Sequence, residues 1–178
     1  MRGTSMVFEG RCWKFGDNIP TDRLVKSRYV FEPMSEIVRH VLEDLDPRFP
    51  LEVEPGDIVV AGRHFGQSSG RAIATKALQA TGIGCVVAAT FARTFYRNCF
   101  EIGLPALEVP DVTDLVSTGD RLRVDITEGT FTNLTTGTTR TVPPADPFLL
   151  EMLAGGGLIE LAIARPGLFG APPATAPG

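Results

Sequence analysis

The fold is decided by residues 61–104, whose sequence is AGRHFGQSSGRAIATKALQATGIGCVVAATFARTFYRNCFEIGL. This pattern predicts a strand, a tight Ser/Gly loop, a helix, a second strand and a second helix. The loop of residues 66–71 (GQSSGR) comes just before the first helix, so two hydroxyls, several amides and a guanidinium would meet at its N-terminus. The first amides of a helix lack intrahelical partners, and the macrodipole is positive there. We therefore expect this loop to attract a small carboxylate or phosphate.

The neighbouring elements extend this stretch to a β-α-β-α-β run. Strands are predicted at residues 57–61, 83–89 and 104–109, with helices at 71–80 and 91–100 between them. The first two strands are short apolar runs without polar alternation, which is typical of strands covered on both faces. The run therefore predicts parallel strands joined by right-handed crossovers.

The rest of the chain has a different character. Residues 120–126 alternate apolar and polar side chains, as a half-buried strand does, and residues 131–134 and 140–142 flank a Thr-Thr-Gly turn that predicts a hairpin. The other predicted elements are a strand at 7–15, a helical turn at 22–26, an exposed loop at 28–33, a helix at 36–46 capped by Ser35, a helix at 147–154 capped by Asp146, a last strand at 158–164 and a disordered tail at 165–178.

Composition narrows the class of protein. The 178 residues predict a single domain at 1–164 followed by the tail, with 43% hydrophobic residues to fill a core. A net charge of −4 without a Lys/Arg run argues against nucleic-acid binding, and no apolar run is long enough to span a membrane. The N-terminus lacks a basic region followed by an apolar core, so we expect no signal peptide and a cytoplasmic location.

Three cysteines, Cys12, Cys85 and Cys99, lie far apart in the sequence without a Cys-x-x-Cys pair. We expect buried free thiols in a reducing cytoplasm, and no metal site or iron–sulfur site formed by this chain alone.

Several candidate site residues have two interpretations. The Ser/Gly loop can bind an anion, or it can be a tight turn in which Ser69 caps the following helix; it lacks the Gly-Lys-Ser/Thr ending of a P-loop. His64 precedes the loop closely enough for a role in the site, whereas His40 is expected on the solvent side of a helix. Arg93 and Arg97 can form an exposed basic stripe or reach beneath the loop.

A set of ordered motifs along nearly the whole chain resembles a known family, the small subunit of isopropylmalate isomerase (3-isopropylmalate dehydratase), the swivelling domain of the aconitase superfamily. The matching segments are FGDNIPTD at 15–22, RYV at 28–30, GDIVVAG at 56–62, Phe65-Gly66, Ser69, Arg71, FAR at 91–93, FYRN at 95–98, IGLP at 102–105, Gly119-Asp120 and GGLI at 156–159.

This resemblance implies an α/β fold of the aconitase swivelling-domain type, with β/β/α architecture: a mixed, mostly parallel sheet, flanking helices and a small antiparallel hairpin region. It also implies a large partner subunit that holds a 4Fe-4S cluster, with none bound by this chain. The implied chemistry is dehydration and rehydration of a 2-hydroxy diacid, in which a serine of the small subunit takes a proton from carbon.

The family's pattern at the loop is Gly-Cys-Gly-Ser-Ser-Arg-Glu-His-Ala, where this chain has GQSSGRAIA at residues 66–74. Aligned without a gap, Ser69 matches the family's serine base and Arg71 its arginine. Ala72 and Ile73 replace the Glu-His pair. A shift by one residue would instead put Ser68 and Ser69 on the serine pair.

The family discriminates substrates in the loop after Asp22, and here Tyr29-Val30 is followed by Phe31. An apolar residue at this position implies an alkyl-bearing or small substrate rather than isocitrate or homoisocitrate; the alternative is that Phe31 packs inside the subunit. The expected catalytic residues are Ser69, Arg71 and Asp22, and the expected substrate-binding residues are Thr21, Tyr29, Val30, Phe31, His64, Ser68 and Gly70. The altered loop leaves a second hypothesis open, a non-catalytic interaction subunit that kept the fold.

Overall fold

The computed structural model describes residues 6–68, 70–168 and 170 of the chain. Its strands are β1 (Val7–Lys14), β2 (Ile58–Ala61), β3 (Cys85–Ala88), β4 (Ala106–Glu108), β5 (Arg121–Asp125), β6 (Thr130–Asn133) and β7 (Thr138–Thr141). Its helices are α1 (Thr21–Leu24), α2 (Met34–Ile37), α3 (Phe49–Glu52), α4 (Ala72–Ala80), α5 (Arg93–Ile102), α6 (Pro147–Ala154) and α7 (Leu158–Ala164), with short 3-10 turns at Ser27–Tyr29, Val38–His40 and Val112–Leu115.

The strands form one seven-stranded sheet in the order β4-β3-β2-β1-β5-β6-β7. β1 joins its two halves, because it pairs in parallel with β2 and antiparallel with β5. The pairs from β1 to β4 are parallel, and those from β1 through β5 to β7 are antiparallel. The expected α/β class with a mixed sheet and flanking helices is confirmed, and the antiparallel strands continue the same sheet.

The parallel half supplies the centre of the core. All residues of β2 and β3 are buried, as their unbroken apolar sequences predict. The chain order β2-α4-β3-α5-β4 confirms the expected β-α-β-α-β run. α4 packs against α5, and α6 and α7 pack against α5 in turn, so helices cover this part of the sheet.

Residues 158–164 form the helix α7, so the predicted last strand is wrong. Gly156 and Gly157 turn the chain with φ values of 86° and 123°, and the Gly157 amide donates to the Met152 carbonyl. A Cβ at Gly157 would lie 2.7 Å from the Glu101 carbonyl oxygen, so only glycine fits at this approach to α5. Leu, Ala and Glu favour helix, and α7 buries Leu161 in the core.

The predicted helix at 36–46 is also wrong, since the helical stretch ends after the 3-10 turn that reaches His40. Leu42 adopts a positive φ of 58°, and its amide donates to the Leu24 carbonyl at 3.0 Å. Leaving the helix lets Val41 and Leu42, which are consecutive, both become fully buried. Pro33 takes the N-cap position of α2 in place of the predicted Ser35.

The other end of the chain follows prediction where it is described. The Asp146 side chain accepts a hydrogen bond from the Phe148 amide at 2.8 Å, which confirms the predicted cap of α6. Most of the expected tail at 165–178 lies outside the described residues, so the tail and the domain boundary at 164 stay predictions. In the part of the chain that is described, no single helix is long and apolar enough to span a membrane. Among these residues, only α6 and α7 taken together reach that length and composition, and they are bent by 81° relative to each other.

Candidate active site

Two loops build the candidate site, and backbone hydrogen bonds join them. The Gly66 amide donates to the Ile19 carbonyl at 2.8 Å, and the Thr21 amide donates to the Gln67 carbonyl at 2.9 Å. Gly66 has a φ of 80°, and a Cβ there would overlap the ring of Phe95, so this contact requires glycine. The start of the Ser/Gly loop is thus held beside the segment that carries α1.

The far side of the Ser/Gly loop is held by Asn98 of α5. This side chain is only 6% exposed, and its Nδ2 donates to the Gly70 carbonyl at 3.3 Å. Ser68 adopts a positive φ of 85°, which few residues other than glycine adopt. A Cβ at Gly70 would lie 3.2 Å from the Thr94 methyl, so this position, where the resembling family has a second serine, is crowded by Thr94.

A cleft of about 190 Å³ opens between α1, the loop after it and the start of α4. It is lined by Thr21, Asp22, Val25, Ser27, Val30, Arg71, Ile73 and Ala74. Four of the expected site residues, Thr21, Asp22, Val30 and Arg71, therefore meet in one place although they lie up to 50 positions apart in the sequence.

The cleft combines a positive end, an acid and an apolar wall. Arg71 occupies the N-cap position of α4, and the first turn of this helix contains no acidic residue. The guanidinium and the helix dipole therefore both favour an anion at this end of the cleft. Asp22 lines the same cleft and accepts a hydrogen bond from the Ser27 hydroxyl at 3.2 Å. Valine and isoleucine side chains complete the lining and suit an alkyl group.

The remaining expected residues lie around the cleft or apart from it. Ser69, the expected base, lies outside the described residues, and its neighbours Ser68 and Gly70 are both exposed. His64 is also exposed and is absent from the cleft lining, while its amide donates to the Thr90 hydroxyl at 2.9 Å. Phe31 is 94% exposed, so the alternative that it packs inside the subunit is wrong.

Arg93 and Arg97 are both exposed, and Arg97 pairs with Glu101 one turn along α5 at 3.4 Å. This geometry favours the interpretation as an exposed basic stripe over a guanidinium that reaches beneath the Ser/Gly loop. Neither arginine lines the cleft.

His40 is placed differently from the sequence prediction. Its ring stacks on Tyr29 with centroids 3.9 Å apart, and its two ring nitrogens lie 2.7 Å from a Glu43 carboxylate oxygen and 3.2 Å from a Glu36 carboxylate oxygen. His40 therefore faces solvent only in part, with a side chain that is 22% exposed, because Tyr29 covers one face of its ring. Sequence analysis also missed Asn98, whose role depends on contact with a loop 28 residues away.

The three cysteines do not fit a cluster site. Cys12, Cys85 and Cys99 are all free and buried, and Cys12 and Cys85 stand on either side of Ile58 across the sheet. Burial raises the pKa of the Cys12 thiol to about 12, and burial also raises the pKa of Cys85 and Cys99, which disfavours the thiolate form that binds iron. Among the residues that the structure describes, no group of three or more His, Cys, Asp or Glu side chains is arranged to hold a metal ion.

A second, wider cleft of about 630 Å³ lies at the carboxyl ends of β3 and β4, beside residues 140–145. Its lining mixes Glu108 and Asp111 with Arg140 and includes none of the expected site residues. The smaller cleft at the start of α4 is therefore the candidate active site, because the expected chemistry converges there.

Comparison with known proteins gives relatives over most of the chain. Residues 29–112 match the aconitase C-terminal domain. The chain is 45% identical over 156 residues to the 3-isopropylmalate dehydratase small subunit of Thermodesulfovibrio yellowstonii, covering 87% of this chain and 93% of that one. It is 42% identical over 154 residues to the isopropylmalate/citramalate isomerase small subunit of Methanocaldococcus jannaschii, covering 86% and 92%.

The fold comparison agrees with the sequence comparison. The crystal structure of 3-isopropylmalate dehydratase from Methanocaldococcus jannaschii matches with a TM-score of 0.85 at 33% identity, covering 90% of this chain and 96% of that one. High identity over nearly the full length of several relatives, together with this shared fold, shows that the chain belongs to the family of 3-isopropylmalate dehydratase small subunits.

Proposed function

We propose that this chain is the catalytic small subunit of a heteromeric hydro-lyase, which acts with a large partner subunit to dehydrate and rehydrate a 2-hydroxy diacid in the cytoplasm. The observation that carries the proposal is the single cleft in which Arg71, Asp22, Thr21 and Val30 meet at the start of α4. Both Asp22 and Arg71 are exposed to solvent in this chain, which is what a half-site closed by a partner would show.

Arg71 binds one carboxylate of the diacid in this proposal. A guanidinium presents two parallel N–H donors that match the two oxygens of a carboxylate, and the α4 N-terminus adds a favourable dipole. Asp22 and Ser27, joined by a hydrogen bond, supply a polar wall that orients a hydroxyl of the substrate.

Ser69 is the proposed base, on the strength of its ungapped match to the family's serine and its place between Ser68 and Gly70. A serine has almost no alkoxide in water near neutral pH, so the oxyanion needs stabilisation by helix-end amides and by the adjacent arginine. The strained Ser68 backbone and the Asn98 contact to Gly70 support a loop held in one arrangement.

The cluster belongs to the proposed partner, since the cysteines of this chain do not fit it. When bound there, a 4Fe-4S cluster supplies a Lewis acid for the leaving hydroxyl and a substrate carboxylate. This chain then contributes binding, orientation and proton transfer.

An alkyl-bearing diacid is the proposed substrate class. Val25, Val30, Ile73 and Ala74 give the cleft an apolar wall, and no described lining residue other than Arg71 carries a positive charge for a third carboxylate. Isopropylmalate and smaller relatives such as a 2-methylmalate fit this description, as does a maleate-like product.

The second candidate is a non-catalytic interaction subunit. It is favoured by Ala72 and Ile73, which stand where the family has a Glu-His pair. This candidate predicts assembly with the large subunit but no turnover of any diacid.

The test is anaerobic copurification with the large subunit, followed by assays on a panel of 2-hydroxy diacids. We expect turnover of an alkyl-bearing diacid, loss of at least about 1,000-fold in kcat for Ser69→Ala, and a KM raised about tenfold or more for Arg71→Lys. Arg48→Gln, which removes an exposed partner of Asp46 away from the cleft, is the matched control. Full activity in Ser69→Ala would exclude the proposed base, and assembly without turnover would favour the second candidate.

A further inference from the structure

The loop that carries Tyr29, Val30 and Phe31 has little backbone anchorage of its own. In the described chain its backbone hydrogen bonds are local: the Tyr29 amide donates to Lys26, the Val30 amide to Ser27 and the Glu32 amide to Tyr29. Val30 nevertheless lines the cleft that holds Asp22 and Arg71. Side-chain contacts must therefore determine the position of this loop relative to the cleft.

The platform beside the loop is the segment around His40, and it is anchored in the core. Ile37, Val41 and Leu42 are buried, and the Leu42 amide donates to the Leu24 carbonyl at the end of α1. Tyr29 lies flat on the His40 ring, with an interplanar angle of 7°. The loop thus contacts this fixed surface through the aromatic stack, and Lys26 and Arg28 beside it form ion pairs with Glu43 and Asp44.

His40 is itself held from both sides. Its Nδ1 lies 2.7 Å from Glu43 Oε2 and its Nε2 lies 3.2 Å from Glu36 Oε1. A carboxylate only accepts hydrogen bonds, so both contacts are satisfied together only when both ring nitrogens carry a proton. The arrangement therefore selects the imidazolium form and fixes the plane of the ring.

We propose that His40 is a positioning residue for substrate binding: as an imidazolium held by Glu36 and Glu43, it fixes the Tyr29 ring and thereby places Val30 at the wall of the cleft. We call the contacts of His40 with Glu36, Glu43 and Tyr29 the clamp. Its effect on substrate binding rests on the proposed function, but the clamp itself is a property of this chain. The proposal assigns His40 to substrate affinity and not to the proton transfer.

The charges around His40 come from four elements and support this protonation state. They are Glu36 and Arg39 on its own helical stretch, Glu43 and Asp44 in the following turn, Lys26 and Arg28 beside the Tyr29 turn, and Arg23 on α1. The hydrogen bond to Glu43 raises the pKa of His40 above its ordinary value, against a lowering by burial and with a further rise from Glu36. For Glu43, burial acts to raise the pKa, but the hydrogen bonds from His40 and Lys26 outweigh it and lower it.

The direction of the pH effect follows from that shift. A histidine whose pKa is raised in the folded chain contributes its stabilisation fully below its unfolded pKa and loses it as the pH rises through the folded pKa. Above that point a ring nitrogen would turn its lone pair toward a carboxylate, and the ring would leave its fixed plane. The loop should then loosen at alkaline pH.

The test measures amide hydrogen exchange in residues 27–33 of the full chain, at about pH 6 and about pH 9 and corrected for intrinsic exchange rates. In the unmodified chain we expect exchange at least about fivefold faster at the higher pH. In His40→Gln exchange should be fast at both pH values, because glutamine has no ring to stack on Tyr29 and carries both of its donors on one nitrogen instead of on two opposed ring nitrogens. In His40→Phe, which keeps a stacking ring but loses both hydrogen bonds, the corrected exchange rate of residues 27–33 should be the same at both pH values. Arg48→Gln should behave as the unmodified chain.

The second arm uses the complex with the large subunit. His40→Gln should raise the diacid KM about tenfold near pH 6 with kcat within about twofold, the signature of lost binding rather than lost chemistry. Equal exchange in the unmodified chain and His40→Gln at both pH values would overturn the clamp, and so would a fall in kcat with KM unchanged. Absence of turnover in the unmodified complex would instead refute the proposed function, while the exchange arm would still decide the clamp.

Discussion

At the scale of single residues, the site depends on side chains that hold loops as much as on those that face the cleft. Arg71 and Asp22 bring a guanidinium and a carboxylate to the cleft, and these groups can be recognised from the sequence. Asn98 carries neither group, yet its amide is the described contact that joins α5 to the Gly70 carbonyl. Its importance comes from burial, because a buried polar group that loses its partner costs stability.

Replacing this residue tests that contact. Asn98→Ala should lower the free energy of unfolding by about 0.5–1.5 kcal/mol, because it removes a partly buried hydrogen bond, whereas the exposed Gly70 carbonyl can bind water instead. It should also reduce turnover in the complex, since the Ser/Gly loop loses its anchor. Urea denaturation and diacid assays measure the two effects.

The control for this change is Arg97→Gln, which alters an exposed residue one position away on α5. It should leave both quantities close to those of the unmodified chain. Unchanged turnover in Asn98→Ala would show that the anchor is dispensable for the loop.

At the scale of elements, two segments depart from their sequence patterns, and in both a residue with positive φ marks the point of departure. The residue with positive φ is Leu42 just after the helical stretch that ends at His40, and Gly157 just before the first residue of α7. The strands β2 and β3, the helices α4 and α5 and the Asp146 cap follow their patterns, because burial on both faces and capping are local signals.

The turn before α7 allows a sharp test with a matched pair of glycines. Gly157→Ala should destabilise the chain by about 1–3 kcal/mol, since alanine is strained at a φ of 123° and its Cβ would press on the Glu101 carbonyl. Gly167→Ala should change stability little, because nothing lies within 4 Å of a Cβ there and its φ is not positive. Urea denaturation of the two variants compares them; equal midpoints would contradict the role of Gly157.

At the scale of the whole molecule, one continuous core spans both halves of the sheet and encloses all three thiols. Cys12, Cys85 and Cys99 lie on β1, β3 and α5, so their exposure requires opening of the centre of the protein. The rate at which these thiols react with a reagent should therefore measure global unfolding.

In native buffer, a thiol reagent should modify Cys12, Cys85 and Cys99 at the rate of global opening, with burial having raised the pKa of each thiol. In denaturant, all three thiols of the chain should react rapidly. Mass spectrometry over time measures the labelling. Fast modification of one cysteine in native buffer would show a local opening that the fold does not predict.

The sequence by itself determined the β-α-β-α-β run, the alternating strand β5 and the Asp146 cap, because hydrophobic period and capping act over a few neighbouring residues. It also carried the family motifs that pointed to Arg71 and Asp22. Only the tertiary structure decided that the helix stops at His40, that residues 158–164 are helical, and that Tyr29 stacks on His40. The physical reason is that burial of Leu42 outweighs the helical pattern of its segment, and that the Gly157 turn against α5 lets residues 158–164 follow their helical preference. Contacts between distant segments, such as the Tyr29 stack, leave no periodic trace in the chain.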